Sequence, residues 1–205
     1  MTGRVPRRAP LAAAAIIVGG CVAALAYIPF TISHGPTAFN LAREVFGWDM
    51  HRWGALMGTV PQLLIGAGLW HLRAVVAGGR RTARWALVVM CAVMYATAAM
   101  NLVTLSIGPP LDLYVLAPAS VVVAVTSARR GAVRVSLGVL AAAYVAPAFQ
   151  PLVPAAVTAS VGGDFRLFGL VAYALVGLLW AAVGVALLAG HRSFEPVRLE
   201  AGSHT

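Results

Sequence analysis

Long apolar runs separated by short polar segments constrain this chain more than any motif does. About 20 apolar residues at 1.5 Å each cross the roughly 30 Å hydrocarbon layer of a bilayer. We predict six membrane spans, at residues 10–32, 54–72, 85–107, 111–126, 133–149 and 167–189. The chain is 60% hydrophobic and 10% charged, and a soluble domain of 205 residues has no core large enough for that much apolar surface. The sequence therefore predicts an all-α, polytopic membrane protein.

The spans are predicted to form one transmembrane domain over residues 1–192, followed by a polar tail at 193–205. The N-terminal MTGRVPRR and the apolar run after it resemble a signal peptide. That run is longer than the 7 to 15 residues of a signal core, so we expect it to remain as the first span. The segment QPLVPAAVTASVGGDFR before the last span fits either an irregular external loop or a short re-entrant piece.

The basic residues fall on alternate connections. All 15 are Arg, a usage typical of GC-rich bacterial coding sequences. One side of the membrane would hold Arg4, Arg7, Arg8, Arg73, Arg80, Arg81, Arg84, Arg129, Arg130, Arg134, Arg192 and Arg198, and the other only Arg43, Arg52 and Arg166. Cytoplasmic loops carry the excess of positive charge, so both termini are predicted to lie in the cytoplasm and the protein in the cell membrane. The net charge of +9 is then explained by topology and indicates no nucleic acid partner.

Small residues predict where helices approach closely. Four-residue spacing relates Ala15, Gly19 and Ala23 in the first span, and Gly169, Tyr173, Gly177 and Ala181 in the last. A proline in the second span, Pro61, frees a backbone carbonyl. In the third span Thr97, Asn101 and Thr104 share one helical face, which we expect to point into the bundle.

Strong chemical motifs are absent from the sequence. It contains no nucleotide-binding loop, dinucleotide glycine pattern, HExxH, CxxC or GxSxG. Its two cysteines, Cys21 and Cys91, lie inside apolar runs, where cysteine behaves as a small hydrophobe. We therefore predict no metal site and no cofactor.

Polar residues that remain collect on the predicted external half of the protein. The first external loop contains Asn40, Glu44, Asp49, His51 and Arg52, and it also carries Phe39 to Phe46 as one or two amphipathic helical turns. Gln62 lies below this loop, Asn101 and Thr104 lie near the outer end of the third span, and Asp112 begins the fourth. A carboxylate at membrane depth is functional by default, which makes Asp112 a candidate proton donor.

Each of these residues also has a purely structural interpretation. Asp112 can cap the positive end of its helix, and Asp49, His51 and Arg52 can form a salt-bridged interfacial turn between Trp48 and Trp53. The alternative for that turn is a polar lid over a cavity. Gln62 and Asn101 fit interhelical hydrogen bonds better than ligand contacts. We interpret His71 as a residue at the membrane interface.

The segment HGPTAFNLAREVFGWDMHRWG, followed by GALMGTVPQLLIGAGLW, resembles the small integral-membrane terpene cyclases of actinomycete drimentine-type indole sesquiterpenoid pathways. The resemblance covers roughly the first third of the chain, through His34, Gly35, Pro36, Asn40, Asp49 and Trp53. It implies a metal-free cyclase that protonates the farnesyl chain of a small molecule and guides carbocation cyclisation.

That chemistry needs a carboxylic acid, a cavity for the prenyl chain and aromatic faces that stabilise cations. The resemblance makes Asp112, Asp49 and Glu44 the candidate acids. It makes Trp48, His51, Trp53, Gln62, Tyr95, Asn101, Tyr114 and Tyr173 the candidate substrate-binding residues. Its expected partners are the lipid bilayer and a prenylated small-molecule substrate.

Two rival functions need no catalysis. A small-molecule or lipid transporter or binding protein would use the proline-containing second span and the same polar faces. A structural or regulatory membrane protein would need only the small-residue stripes. Silent alanine substitutions at all three candidate acids would exclude the cyclase. The oligomeric state is not encoded in any pattern found.

Overall fold

The computed structural model describes residues 9–34, 43–105, 111–127, 131–160 and 162–192, and most of them are helical. The helices are α1 (Ala9–His34), α2 (Met50–Ala77), α3 (Arg81–Thr104), α4 (Leu111–Thr126), α5 (Ala132–Val145), α6 (Ala155–Ser160), α7 (Asp164–Gly169) and α8 (Val176–Arg192). A 3-10 segment, Ala146–Leu152, follows α5, and a π-helical segment, Leu170–Leu175, joins α7 to α8. The predicted polar tail at 193–205 lies outside the described residues.

Four stretches in the described part are long and apolar enough to cross a membrane: Ala9–His34, Met50–Ala77, Arg81–Thr104 and Arg166–Gly190. The prediction of a membrane protein with several spans is confirmed by these four stretches. Helices α2 and α3 begin four residues before the predicted spans, at Met50 and Arg81, because both helices include polar residues at their ends. The fourth and fifth predicted spans correspond to the shorter helices α4 and α5, of 16 and 14 residues.

Six helices form a closed ring in which each packs against the next along the chain. The order is α1, α2, α3, α4 and α5, followed by α8, which packs against both α5 and α1. Large apolar side chains such as Ile16, Met90, Leu116 and Leu140 are buried inside the bundle. The chain therefore forms one bundle, and its first and last long helices are neighbours.

Helix α1 is held against two partners by glycines. On one side Gly19 and Gly68 bring α1 and α2 together, and a Cβ on Gly68 would lie 2.6 Å from the carbonyl oxygen of Ala12. On the other side Gly20 contacts Gly177 and Ala181 of α8, where a Cβ on Gly177 would lie 2.7 Å from the carbonyl oxygen of Gly20. Real Cβ atoms do not approach that closely, so these helices pack backbone to backbone.

These contacts test the small-residue stripes. The stripe in the last span is confirmed: Gly177 and Ala181 pack against Gly20, and Gly169 against Tyr27. The stripe in the first span divides between two partners, since Gly19 faces α2 whereas Ala23 contacts Gly177.

The residues before α2 form a tight turn rather than the predicted amphipathic helix. Val45 and Trp48 exchange backbone hydrogen bonds of 2.9 and 3.1 Å, and Phe46 and Gly47 between them have φ of 55° and 73°. Positive φ at both central residues is the geometry of a two-residue hairpin turn. The earlier part of the predicted amphipathic segment, 35–42, lies outside the described residues.

The undecided segment between the last two spans is helical but short. The 3-10 segment and α6 follow α5, and α6 has no buried residue. The chain then re-enters the bundle at α7, where the hydroxyl of Tyr27 donates a 2.7 Å hydrogen bond to the carbonyl oxygen of Arg166.

Substitution of Gly20 or Gly177 by alanine is expected to destabilise the protein by about 1–3 kcal/mol, because the new methyl group meets backbone atoms that must move. Gly138 of α5 is the matched control, since a Cβ there meets no atom within 4 Å and alanine favours helix. The midpoint of thermal aggregation in detergent should fall for the first two variants and stay constant or rise for Gly138→Ala. Equal midpoints would contradict the packing.

Candidate functional site: a cleft between four helices

A small cleft lies inside the bundle, between α1, α2, α5 and the π-helical segment with α8. Its lining residues are Ala23, Pro61, Gln62, Ile65, Tyr144, Ala172, Tyr173, Val176, Gly177 and Trp180. Its volume is about 30 Å³, which is enough for about two water molecules at roughly 10–15 Å³ each. In this conformation the cleft has no room for a prenyl chain, and a larger ligand requires the helices to move apart.

The cleft lies at mid-depth of the long helices. Trp180 is ten residues before Gly190 in its span, and Gln62 is twelve residues after the start of α2 at Met50. At about 1.5 Å per residue, both side chains lie about 15 to 18 Å from a helix end. Hydrogen-bonding groups at this depth are surrounded by apolar atoms, where they interact strongly with any polar partner.

A buried aromatic pair forms one wall of the cleft. The indole Nε1 of Trp180 donates a 2.7 Å hydrogen bond to the hydroxyl oxygen of Tyr144, which joins α8 to α5. Trp180 is 2% exposed and Tyr144 is 5% exposed. The pair therefore satisfies the indole N–H inside the bundle and turns two aromatic rings toward the cleft.

The opposite wall comes from α2, and the remaining side from α1 and the π-helical segment. Pro61 interrupts the backbone hydrogen bonding of α2, and the side chain of Gln62 follows it into the cleft. Ala172 and Tyr173 belong to the π-helical segment Leu170–Leu175. Single π-helical turns inside α-helices occur frequently at functional sites and are local departures from the regular helix. Two irregular helix segments thus border the same cleft.

Of the residues predicted to bind a substrate, Gln62 and Tyr173 line this cleft and the others lie elsewhere. Tyr114 is 75% exposed on the outer surface of α4. The ring of Tyr95 lies against α2, where a Cβ on Gly66 would be 3.3 Å from it. The structure therefore does not bring the predicted set together around one cavity.

Asn101 forms an interhelical hydrogen bond, as its structural interpretation predicted. Its Nδ2 donates a 2.9 Å hydrogen bond from α3 to the carbonyl oxygen of Gly58 in α2. One turn away, Thr59 donates a longer bond of 3.5 Å to the carbonyl oxygen of Ala98. The prediction that this face of α3 points into the bundle is correct for Thr97 and Asn101. It is wrong for Thr104, which is exposed and whose hydroxyl donates to the carbonyl oxygen of Met100 within its own helix.

Trp48, Asp49, His51 and Trp53 lie at the turn that begins α2. The carboxylate of Asp49 accepts a 2.9 Å hydrogen bond from the backbone N–H of Arg52, which makes Asp49 the N-cap of α2. The indole of Trp53 donates to the carbonyl oxygen of Val45 at 3.0 Å and contacts the Trp48 ring, with centroids 5.1 Å apart.

The turn is thus held by a helix cap and an indole rather than by the expected ion pair. The guanidinium of Arg52 is directed toward the carbonyl oxygen of Gly47, at 3.4 Å. His51 is half-buried beside this turn.

Neither of the two candidate acids whose side chains are described, Asp49 and Glu44, lines the cleft. Asp49 caps α2 and Glu44 is exposed in the turn before it. Asp112 lies in the first turn of α4, and its side chain is outside the described residues. None of the residues that line the cleft is an acid. In the described part of the chain, no three His, Cys, Asp or Glu side chains are grouped so that they could hold a metal ion.

Sequence reasoning missed Tyr144 and Trp180, two of the three aromatic residues that line the cleft. Both carry one polar atom on a large apolar ring inside a long apolar run. A buried Tyr hydroxyl or Trp N–H needs a hydrogen-bond partner, and that requirement was the available signal. It could not identify the partner, because the two residues are 36 positions apart and meet only when α8 closes the ring.

The four long apolar helices in the described part of the chain indicate a multi-pass helical membrane protein. No protein-family model, curated protein or solved structure matches this chain.

Replacement of Tyr144 by phenylalanine is expected to lower the free energy of unfolding by about 1–3 kcal/mol, because the buried indole N–H of Trp180 loses its acceptor. The matched control is Tyr114→Phe, which removes the same hydroxyl from an exposed side chain and should change stability little. Thermal unfolding followed by tryptophan fluorescence in detergent compares them. The hydrogen bond would be unimportant if both variants unfolded at the wild-type temperature.

Proposed function

We propose that the protein crosses the cell membrane six times, with both termini in the cytoplasm. The four long apolar helices are joined in one ring by α4 and α5, which pack between α3 and α8. Helices of 16 and 14 residues span only about 21 to 24 Å, and a bilayer thins locally beside short helices. The arginine distribution supports the orientation.

We further propose that the protein binds an apolar small molecule, lipid or isoprenoid in its mid-membrane cleft, as a binding or transport protein. The observation that carries this proposal is a cleft at mid-depth that combines aromatic walls with the amide of Gln62. Such a combination suits a ligand with an apolar body and one hydroxyl or carbonyl group. The burial of a polar side chain at this depth costs free energy, so its presence there is explained by a function such as ligand binding.

Ligand entry would use the two irregular helix segments. A cleft of about 30 Å³ must widen before it holds a molecule of ten or more carbon atoms. Pro61 and the π-helical segment each interrupt the regular backbone of a helix that lines the cleft. Movement of α2 relative to α8 at these points would widen the cleft while the Gly20–Gly177 contact stays closed.

A photoreactive farnesol analogue tests the binding proposal. We expect it to label the purified protein at residues 61–65 or 172–180, and excess farnesol to compete. Gln62→Leu keeps the side chain near its volume and removes its hydrogen bonds, so labelling should fall about tenfold, in line with the loss of one buried polar contact. Thr104→Val is the control, because it removes a hydrogen-bonding group from an exposed side chain outside the cleft and should leave labelling unchanged. Labelling confined to the lipid-facing surface would contradict the proposal.

A second candidate function is the proton-initiated cyclisation of a farnesylated small molecule. The aromatic rings of Tyr144, Tyr173 and Trp180 around one cleft favour it, because such rings stabilise carbocations. An acid would protonate the terminal alkene, the chain would close on the cation, and loss of a proton would give an isomer of the substrate. Of the three candidate acids, Asp49 is engaged as a helix cap and Glu44 is exposed, so we assign the role of the acid to Asp112.

Membranes that contain the protein should convert a farnesylated indole into an isomer of unchanged mass if this candidate is correct. Asp112→Asn should then reduce turnover by about 10²–10⁴-fold, the usual contribution of a general acid. Mass spectrometry coupled to chromatography measures the product. Full activity in the alanine variants of Asp112, Asp49 and Glu44 would exclude the mechanism, while photolabelling of the cleft would be unaffected by that result.

A further inference from the structure

A cluster of arginines and tryptophans surrounds the turn between α2 and α3. Arg80, Arg81 and Arg84 are exposed and Arg73 is half-buried. Two tryptophans flank them, Trp70 with 41% and Trp85 with 63% of the side chain exposed. These six residues are called the α2–α3 basic patch.

The turn holds the arginines close to both helix ends. Gly78 ends α2 in the left-handed conformation, and its N–H bonds to the carbonyl oxygen of Ala74 at 3.1 Å. The N–H of Arg80 then bonds back to Ala77 at 2.9 Å, and α3 begins at the next residue. The guanidinium groups are therefore attached to a short, hydrogen-bonded turn rather than to a long loop.

The aromatic members of the patch place it at the edge of the hydrocarbon layer. The guanidinium carbon of Arg73 lies 3.9 Å from the centroid of the Trp70 ring, and the same guanidinium donates to the carbonyl oxygen of Trp70. Exposed tryptophans in membrane proteins favour the headgroup layer, and arginines near helix ends extend toward it. Arg73 lies four residues before the end of α2, about 6 Å along the helix.

Among the residues whose side chains the structure describes, no acid lies in the turn between α2 and α3. The first turn of α3 contains no acidic residue, although this positive helix end favours negative charge. The acids whose side chains are described, Glu44 and Asp49, lie before the opposite end of α2. Several guanidinium groups are thus brought together at a helix end that itself repels them, and an anion would relieve that repulsion.

We propose that the α2–α3 basic patch binds the phosphate headgroup of anionic phospholipids. A guanidinium donates two parallel hydrogen bonds to one phosphate, and the indole rings occupy the adjacent headgroup layer. The patch lies where two membrane-crossing helices emerge, so a lipid phosphate is the anion available at that depth. The leaflet is the cytoplasmic one in the orientation proposed above, whereas the binding itself depends only on α2 and α3 crossing the membrane.

The test compares phosphatidylglycerol with phosphatidylcholine of the same acyl chains, titrated into the purified full-length protein and measured by native mass spectrometry. Wild-type protein should retain phosphatidylglycerol preferentially. R80Q/R81Q should lose at least about fivefold in that preference, the effect of about one charge at a membrane surface. R43Q/R52Q, which removes the same charge at the other end of α2, should keep it.

A charge-preserving variant separates headgroup binding from a folding defect. R80K/R81K keeps the charge but not the paired hydrogen bonds, so it should retain more of the preference than R80Q/R81Q. R80Q/R81Q should show the wild-type thermal midpoint and unchanged labelling of the cleft by the farnesol probe. Equal retention of the two lipids by wild-type protein would overturn the proposal. Equal losses in the R80Q/R81Q and R43Q/R52Q variants would overturn it as well.

Discussion

The approach of α1 to α8 at Gly20 and Gly177 determines how the rest of the bundle is arranged. Lipid tails are as apolar as leucine, so helices in a membrane gain little from apolar burial and associate through close packing and interhelical hydrogen bonds. At this contact the absence of side chains brings two backbones together and joins the first long helix to the last. Without that closure the remaining helices would form an open row rather than a ring, and the cleft would lose one side.

Hydrogen bonds between helices supply the specificity that apolar packing lacks. Asn101 fixes α3 on α2, Tyr27 fixes α1 on the start of α7, and Trp180 fixes α8 on α5. Each joins residues distant in sequence and has a partner at a defined depth, so a sliding of either helix would break it. The cleft lies where the regular pattern is interrupted, between Pro61 and the π-helical segment. This combination of a fixed frame with two irregular segments is the physical basis for proposing ligand binding there.

Much of the architecture could be predicted from the sequence, because the length and periodicity of apolar runs determine where membrane helices form. The predicted fourth span begins directly after Pro109-Pro110, at residue 111, where α4 also begins. The close-packing face of the last span follows from its glycine spacing. The site could be predicted only in part. Gln62 and Tyr173 are in the cleft, but Tyr114 faces outward, because an aromatic residue in a span packs inside or meets lipid equally well. Asp49 illustrates the same limit. A carboxylate just before a helix looks the same in the sequence whether it caps the helix or acts as an acid.

In the proposed topology the six ring helices cross the bilayer in alternating directions, with the arginine-rich connections inside the cell. Single cysteines in a Cys21→Ala/Cys91→Ala background test it most directly, through labelling by a membrane-impermeant maleimide. The exposed positions are Glu44 and Ala159 at one end of the bundle, and Thr82 and Ala132 at the other. The account predicts labelling of the first two in intact cells and of the second two only after permeabilisation. Labelling of Thr82 or Ala132 in intact cells would contradict it.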